Sequence, residues 1–460
     1  MALANDSTNV VTRPTASADH YVARLGQDLN SLELHNISSR RDSEGGDDPS
    51  GSTASASTTG LSQTQTHNAA IQYFALCFVF YVAGWNDGTT GPLLPRIQAV
   101  YNLDFTLVSL IFVFNCVGFI SAAAANVALT DRFGFGRVMV LGAVTQLAGY
   151  ALEAAAPPFP VFVLGYFLNG FGLALQEAGA NGYVSSIAKN PSLKIAFMHA
   201  IYGLGAFSSP FVSTQFSEQR HWSFHYLTSL GLAVVNAVLL CGVLRFRTQD
   251  QCLTEIGQVP PVHAGLDEGK YKQMSKLRPL HLLALFIFIY DGIEVTMGGW
   301  IVTYVIDVRA GGPSSGYISS GFFGGLMFGR LAFLWLNKII GERNVLFLYI
   351  VLAIGLELVV WFLPSIVGAA VAVAFVGLVL GPIYPLVMNY SRRVLPPWLL
   401  TGCIGWIAGF GQAGSAALPF AAGLLANKEG IKSLQPFLVS SMACLVCLWA
   451  LVPNHPRRLE

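Results

Sequence analysis

Four carboxylic acids, Asp87, Glu177, Asp291 and Glu294, lie in stretches of this sequence that hold scarcely another charge. "GWNDGTTGPLLP", residues 84–95, carries Asp87; "GLALQEAGANGY", from Gly172, carries Glu177; and "YDGIEVTMGGW", from Tyr290, carries the other two. Burying a carboxylate in hydrocarbon costs roughly 2.5–3.5 kcal/mol on insertion scales, so an acid in such a segment faces a cavity or a partner. The chemistry open to it is proton exchange: a dry carboxyl holds a proton and gives it up when water or a ligand hydroxyl arrives. A protonated acid can equally do no more than bond a neighbouring helix, and Glu177 has Gln176 and Asn181 at hand for that. Asp291 and Glu294 are three apart and share a helix face; Glu294, the deeper, is favoured to line a cavity. His199 suits either a proton relay or packing. Glu153 and Glu357 lie near expected helix ends and read as interfacial, while Arg330 reads as a partner for helix-end carbonyls.

The elements that must position these groups are long apolar helices. The chain has 460 residues, 53% of them hydrophobic and 11% charged, against about 25% charged in a soluble domain, so much of its surface faces lipid. A bilayer core takes roughly 20 mostly apolar residues per helix. Such segments follow one another at 71–94, 104–130, 137–156, 160–188, 193–215 and 224–246, then at 281–306, 314–338, 344–363, 365–391, 398–425 and 433–452. The fold class is an all-α membrane protein with twelve transmembrane helices. Residues 1–70, rich in Ser, Thr, Asn and Asp, are too polar to form a core and are expected to be a disordered tail. Residues 71–246 and 281–453 form two six-helix halves, 247–280 the loop that links them and 454–460 a short tail. Lys and Arg number sixteen in the loops and tail on the side of the termini, excluding residues 1–70, and five on the other side. Basic loops stay inside, so both termini are expected in the cytoplasm, with the plasma membrane favoured over a vacuolar one.

The halves repeat. "TDRFGFGRV", 130–138, matches "LNKIIGERN", 336–344, pairing Asp131 with Asn337 and Arg137 with Arg343; Gly172 matches Gly377, and Gly203-Leu204-Gly205 matches Gly409-Phe410-Gly411. All three matches fall at nearly one offset, which describes two parallel halves related by an axis along the membrane normal. That plan places a small-molecule site between the halves near mid-membrane. Asp131, Arg132 and Arg137, with Asn337, Lys338 and Arg343, can cap and bridge helix ends in contacts that break as the halves rock. The composition also excludes functions. No catalytic constellation and no GxxxxGK[ST] loop is present, so a nucleotide-driven pump is ruled out and the energy must come from a gradient. Cys444-x-x-Cys447 has no second pair nearby, which leaves neither a metal site nor a cofactor. The basic residues are accounted for by topology, not by nucleic acid, and a monomer suffices.

"DRFGFGR" resembles the signature loop of the major facilitator superfamily, with Val127 where a glycine usually stands. "WNDGTTGPLLPRIQ", "QEAGANGY", "GIEVTMGGWIVTY" and "GWIAGFGQAGSAALPF" narrow the resemblance to the fucose/proton symporter family and its fungal relatives, over essentially all of 71–453. That resemblance implies proton coupling at Asp87 and Glu177, with Asn181 completing the spacing; Glu294 and His199 are the further candidates. For substrate, Trp85, Asn115, Gln146, Asn181, Tyr202, Trp300, Asn389, Trp406 and Gln412 offer aromatic platforms and amides that suit a neutral sugar or polyol of hexose size. The lining is expected to lack a mid-membrane Lys or Arg that would suit a phosphate or carboxylate. Trp at helix ends also forms interfacial belts, and amides also bond helix to helix. Three functions follow from this reading: proton-coupled sugar symport, efflux of amphipathic drugs or lipids, and nutrient sensing without net transport.

Overall fold

Ser62 caps the first helix, its side chain accepting from the Gln65 amide while the Gln65 side chain accepts from the Ser62 N–H. This box starts the helix at Gln63, eight residues before the apolar run that marked it in the sequence. The computed structural model describes residues 62–258 and 272–454; most of the expected tail, the middle of the linker and the last six residues lie outside the described residues. Twelve principal helices follow: α1 (Gln63–Tyr101), α2 (Phe105–Phe133), α3 (Phe135–Ala154), α4 (Phe159–Ser185), α5 (Pro191–Ser217), α6 (Trp222–Leu244), α7 (Arg278–Arg309), α8 (Tyr317–Ala332), α9 (Glu342–Phe362), α10 (Ile366–Val394), α11 (Leu400–Glu429) and α12 (Leu434–Leu451). Ten of them are long and apolar enough to cross a membrane. The exceptions are α8, with sixteen residues, and α11, whose apolar content is diluted by glycine and by Gln412. A twelve-span bundle is consistent with this set.

Each half repeats one packing scheme. The pairs α1 with α5, α2 with α4 and α3 with α6 recur as α7 with α11, α8 with α10 and α9 with α12. Glycine permits the closest crossings: a Cβ on Gly84 of α1 would lie 1.9 Å from the Tyr202 carbonyl oxygen of α5, and one on Gly414 of α11 would lie 1.8 Å from that of Phe288 on α7. The turns repeat as well, because Gly134 before α3 and Gly341 before α9 sit at φ of +84° and +87°, where a side chain would be strained.

The even number of spans brings residues 62 and 454 to one end of the bundle, here the terminal end. The halves close at the opposite, far end. Phe105 and Phe112 of α2 pack on Trp300 of α7, Gln215 of α5 bonds Tyr317 of α8, and a Cβ on Gly91 would lie 2.2 Å from the Gly298 carbonyl oxygen. Gly88, Gly91 and Pro92 lie within one unbroken helix whose glycines allow close contact. Toward the terminal end the surfaces of the two halves are open: Asn389, Trp406 and Phe410 are exposed, and Gly182, Gly405 and Gly409 have no atom within 4 Å of a would-be Cβ.

The linker is seated on the first half by a short helix, Gln249–Glu255. Glu255 pairs with Arg247 at 2.5 Å and accepts from Gln72 of α1 at 3.1 Å, and the hydrogen bond from Arg247 holds that guanidinium above its ordinary range. The Gly136 N–H donates to the Arg247 carbonyl at 2.8 Å, tying the first turn of α3 to the same place.

Candidate functional site

Asp87 stands on the face of α1 that looks between the halves, half-buried. The Tyr202 hydroxyl of α5 donates to it at 2.5 Å and the Asn86 amide at 3.3 Å; Asn86 is held by the Tyr150 hydroxyl of α3 at 3.2 Å. Glu177 on α4 is half-buried and forms no hydrogen bond or ion pair among the described residues, although it is close enough to Asp87 to feel its charge.

The second half presents a different arrangement. Glu294 on α7 accepts from Tyr290 at 2.9 Å and pairs with Arg330 of α8 at 3.7 Å. Arg330 reaches across the interface, donating to the His199 carbonyl at 3.3 Å and standing 6.0 Å from the Tyr202 ring centroid. Tyr384 of α10 lies within electrostatic reach of Asp291, Glu177, Arg330 and Glu294. One polar cluster thus draws on α1, α4, α5, α7, α8 and α10, that is, on both halves.

Several residues expected to line this space are turned elsewhere. Trp85 is buried inside the first half, stacked on His225 and bonded to Ser229 at 2.9 Å. Gln146 is buried in an amide ladder with Gln176 and Asn236. Trp300 is fully buried at the far-end closure, its indole N–H donating to the Pro419 carbonyl. In each case the side chain found a helix neighbour, the alternative open to any amide or indole in a bundle. Asn115 and Asn181 are half-buried, each with an unpartnered Oδ1. Gln412 is half-buried, and its carbonyl accepts from Cys116 across the interface at 3.3 Å. Trp406 and Asn389 are exposed toward the terminal end. The His199 ring packs edge-on against Phe80, and only its backbone carbonyl meets the cluster.

The residues expected to gate are not joined across the halves here. Asp131, Arg132 and Arg137 are exposed, as is Lys338; Asn337 accepts from Tyr349 at 2.6 Å, and Arg343 donates to the Val452 carbonyl at 2.6 Å, both within the second half. Glu153 and Glu357 are not interfacial: both side chains turn inward and are fully buried, Glu153 held by Asn169 of α4 at 2.9 Å. Arg330 bonds a carbonyl from within α5, that of His199, not one at a helix end, and its place in the cluster with Tyr290 and Tyr384 goes beyond the sequence reading. The signal was present, since a cation within an apolar span calls for the same scrutiny as an acid.

A two-half bundle with a shared polar cluster at its interface is the architecture of a carrier. The family profile described as Major Facilitator Superfamily matches residues 76–397. The chain belongs to that superfamily. This major facilitator is 26% identical over 411 residues to Bypass of stop codon protein 6 of Saccharomyces cerevisiae, covering 84% of this chain and 82% of that one. It is 20% identical over 355 residues to the glucose/mannose transporter GlcP of Bacillus subtilis, covering 76% and 87%. Its fold is similar to that of the E. coli fucose:proton symporter FucP, with a TM-score of 0.56 and 16% identity over 84% of this chain and 99% of that one. As a major facilitator the protein is a multi-pass membrane transporter, not an enzyme.

Proposed function

We propose that this major facilitator carries a neutral sugar or polyol into the cytoplasm together with protons, by alternating access around the Asp87 cluster. The observation that carries the reading is the placement of Asp87 and Glu177: two acids with no cation bonded to either, facing the space between the halves. A carboxyl group so placed exchanges protons with whichever side the space opens to. The sugar transporters among the chain's relatives support the substrate class. Tyr202, Asn115, Asn181, Trp406 and Gln412 remain the candidates for hydroxyl and ring contacts. Arg330 is engaged by Glu294, so the cluster offers no free cation to an anionic substrate.

In this mechanism proton and sugar bind with the far end open, and the neutralised cluster lets the halves rock to the arrangement described above. The count of basic residues supports a cytoplasmic terminal end, and a monomer suffices for the cycle. Adding a panel of hexoses, deoxyhexoses and polyols to proteoliposomes while following internal pH tests the reading. Substrate-dependent proton influx is expected from at least one sugar. Silence across the panel from folded protein refutes sugar symport and turns attention to efflux of amphipathic compounds; a signalling defect with normal transport would instead favour sensing.

A further inference from the structure

Sequence and packing together make Asp291 the second-half counterpart of Asp87. Asp87-Gly88 on α1 and Asp291-Gly292 on α7 occupy equivalent helices, and each glycine seats its helix on the equivalent neighbour. A Cβ on Gly88 would lie 2.4 Å from the Ala206 carbonyl oxygen of α5, and one on Gly292 would lie 2.9 Å from the Gly414 carbonyl oxygen of α11. The partners of the two acids differ. Asp87 receives the Tyr202 hydroxyl, whereas the α11 position matching Tyr202, one residue before the repeated Gly-x-Gly, is Ala408, which has no donor.

Asp291 lies against Gly411, where a Cβ would come 2.0 Å from its Oδ2, so glycine there makes room for the carboxyl. Among the described residues Asp291 forms no hydrogen bond and no ion pair. The charged and titratable groups around it are Tyr290 and Glu294 on its own helix, Arg330 on α8 and Tyr384 on α10; α12, also packed on α7, contains no acidic or basic residue. Arg330 is held by Glu294, which leaves one guanidinium against four carboxyl groups in the cluster. Four acids around one guanidinium cannot all ionise, so the carboxyls without a cation or a hydroxyl donor, Glu177 in the first half and Asp291 in the second, are the next to hold a proton.

We infer that Asp291 is a second-half proton-exchanging carboxyl of the pathway, so that each cycle moves one proton more than Asp87 and Glu177 carry. Its carboxylate takes a proton from water on one side and returns it to water on the other, with no bond made to the substrate. The inference rests on the proton-coupled reading above, and two measurements keep the two apart. Infrared difference spectra of the purified protein in lipid, between acidic and alkaline buffer, are compared for wild type and Asp291→Asn. One titrating carboxyl C=O band is expected to vanish. In proteoliposomes the ratio of protons to sugar is expected to fall by one in Asp291→Asn, with Asp291→Glu restoring it. A band that survives the substitution, or a ratio that stays at its wild-type value, overturns the inference. A lost band with no sugar moving protons in the wild type leaves Asp291 a proton-exchanging group and overturns the transport reading instead.

Discussion

The two halves of the bundle share helix pairings, crossing glycines and turn glycines, yet they hold their acids in different ways. In the first half Asp87 is held by a hydroxyl and an amide, and Glu177, among the described residues, by neither hydrogen bond nor ion pair. In the second, Glu294 is tied to Arg330, which also reaches back to the first half through the His199 carbonyl. The repeated backbone provides the surfaces that rock, and the unequal side chains provide the chemistry. On the proposed reading, proton exchange falls to the acids that no cation neutralises, while Arg330 links their cluster to the contact between the halves.

The largest way to break this comparison is to remove the cation. Arg330→Ala leaves the half-buried Glu294 with the Tyr290 hydroxyl but no cation, which costs at most about 3–5 kcal/mol. Thermal unfolding in detergent should show a large loss for the single variant and a partial recovery when Glu294→Gln is added; equal losses in the two would mean that the pair is not coupled. A somewhat smaller effect separates the crossing from the opening. Gly84→Ala forces a Cβ to within 1.9 Å of the Tyr202 carbonyl oxygen and should lose both stability and transport, whereas Gly409→Ala meets open space and should be tolerated. Similar behaviour of the two variants in expression and uptake would contradict the described packing.

The regular parts of this architecture were legible in the sequence because hydrophobic spans and repeated motifs are local signals. All twelve spans overlap the observed helices, and of the repeated Gly-x-Gly the second glycine repeats its packing, Gly205 against α1 and Gly411 against α7, whereas Gly203 meets Met327 and Gly409 open space. Side-chain direction was not legible. Trp85, Gln146 and Trp300 have the chemistry of ligand contacts and spend it on Ser229, Gln176 and Pro419, since a one-residue rotation about a helix decides which face a side chain takes. Glu153 and Glu357 looked interfacial because distance from a helix end was read as depth. Arg330 was assigned to carbonyls, and its second partner, Glu294, is distant in the sequence.

Two smaller effects sharpen the contrast between cluster and periphery. Glu255→Ala removes an ion pair that is about a quarter exposed, so it should cost no more than about 1 kcal/mol and leave transport near normal; loss of transport in that variant would give the linker seat a larger role. Cys252, on the same linker helix, is fully buried, and burial pushes its thiol up to about 11. It should resist alkylation at neutral pH in the folded protein and react after denaturation.

The most direct test of the central claim is accumulation against a gradient. Proteoliposomes given an inward proton gradient and a sugar that moves protons should concentrate that sugar in wild type. With Asp87→Asn they should exchange sugar across the membrane without concentrating it. Accumulation by Asp87→Asn at the wild-type level would contradict the account, because the driving proton would then not pass through the cluster between the halves.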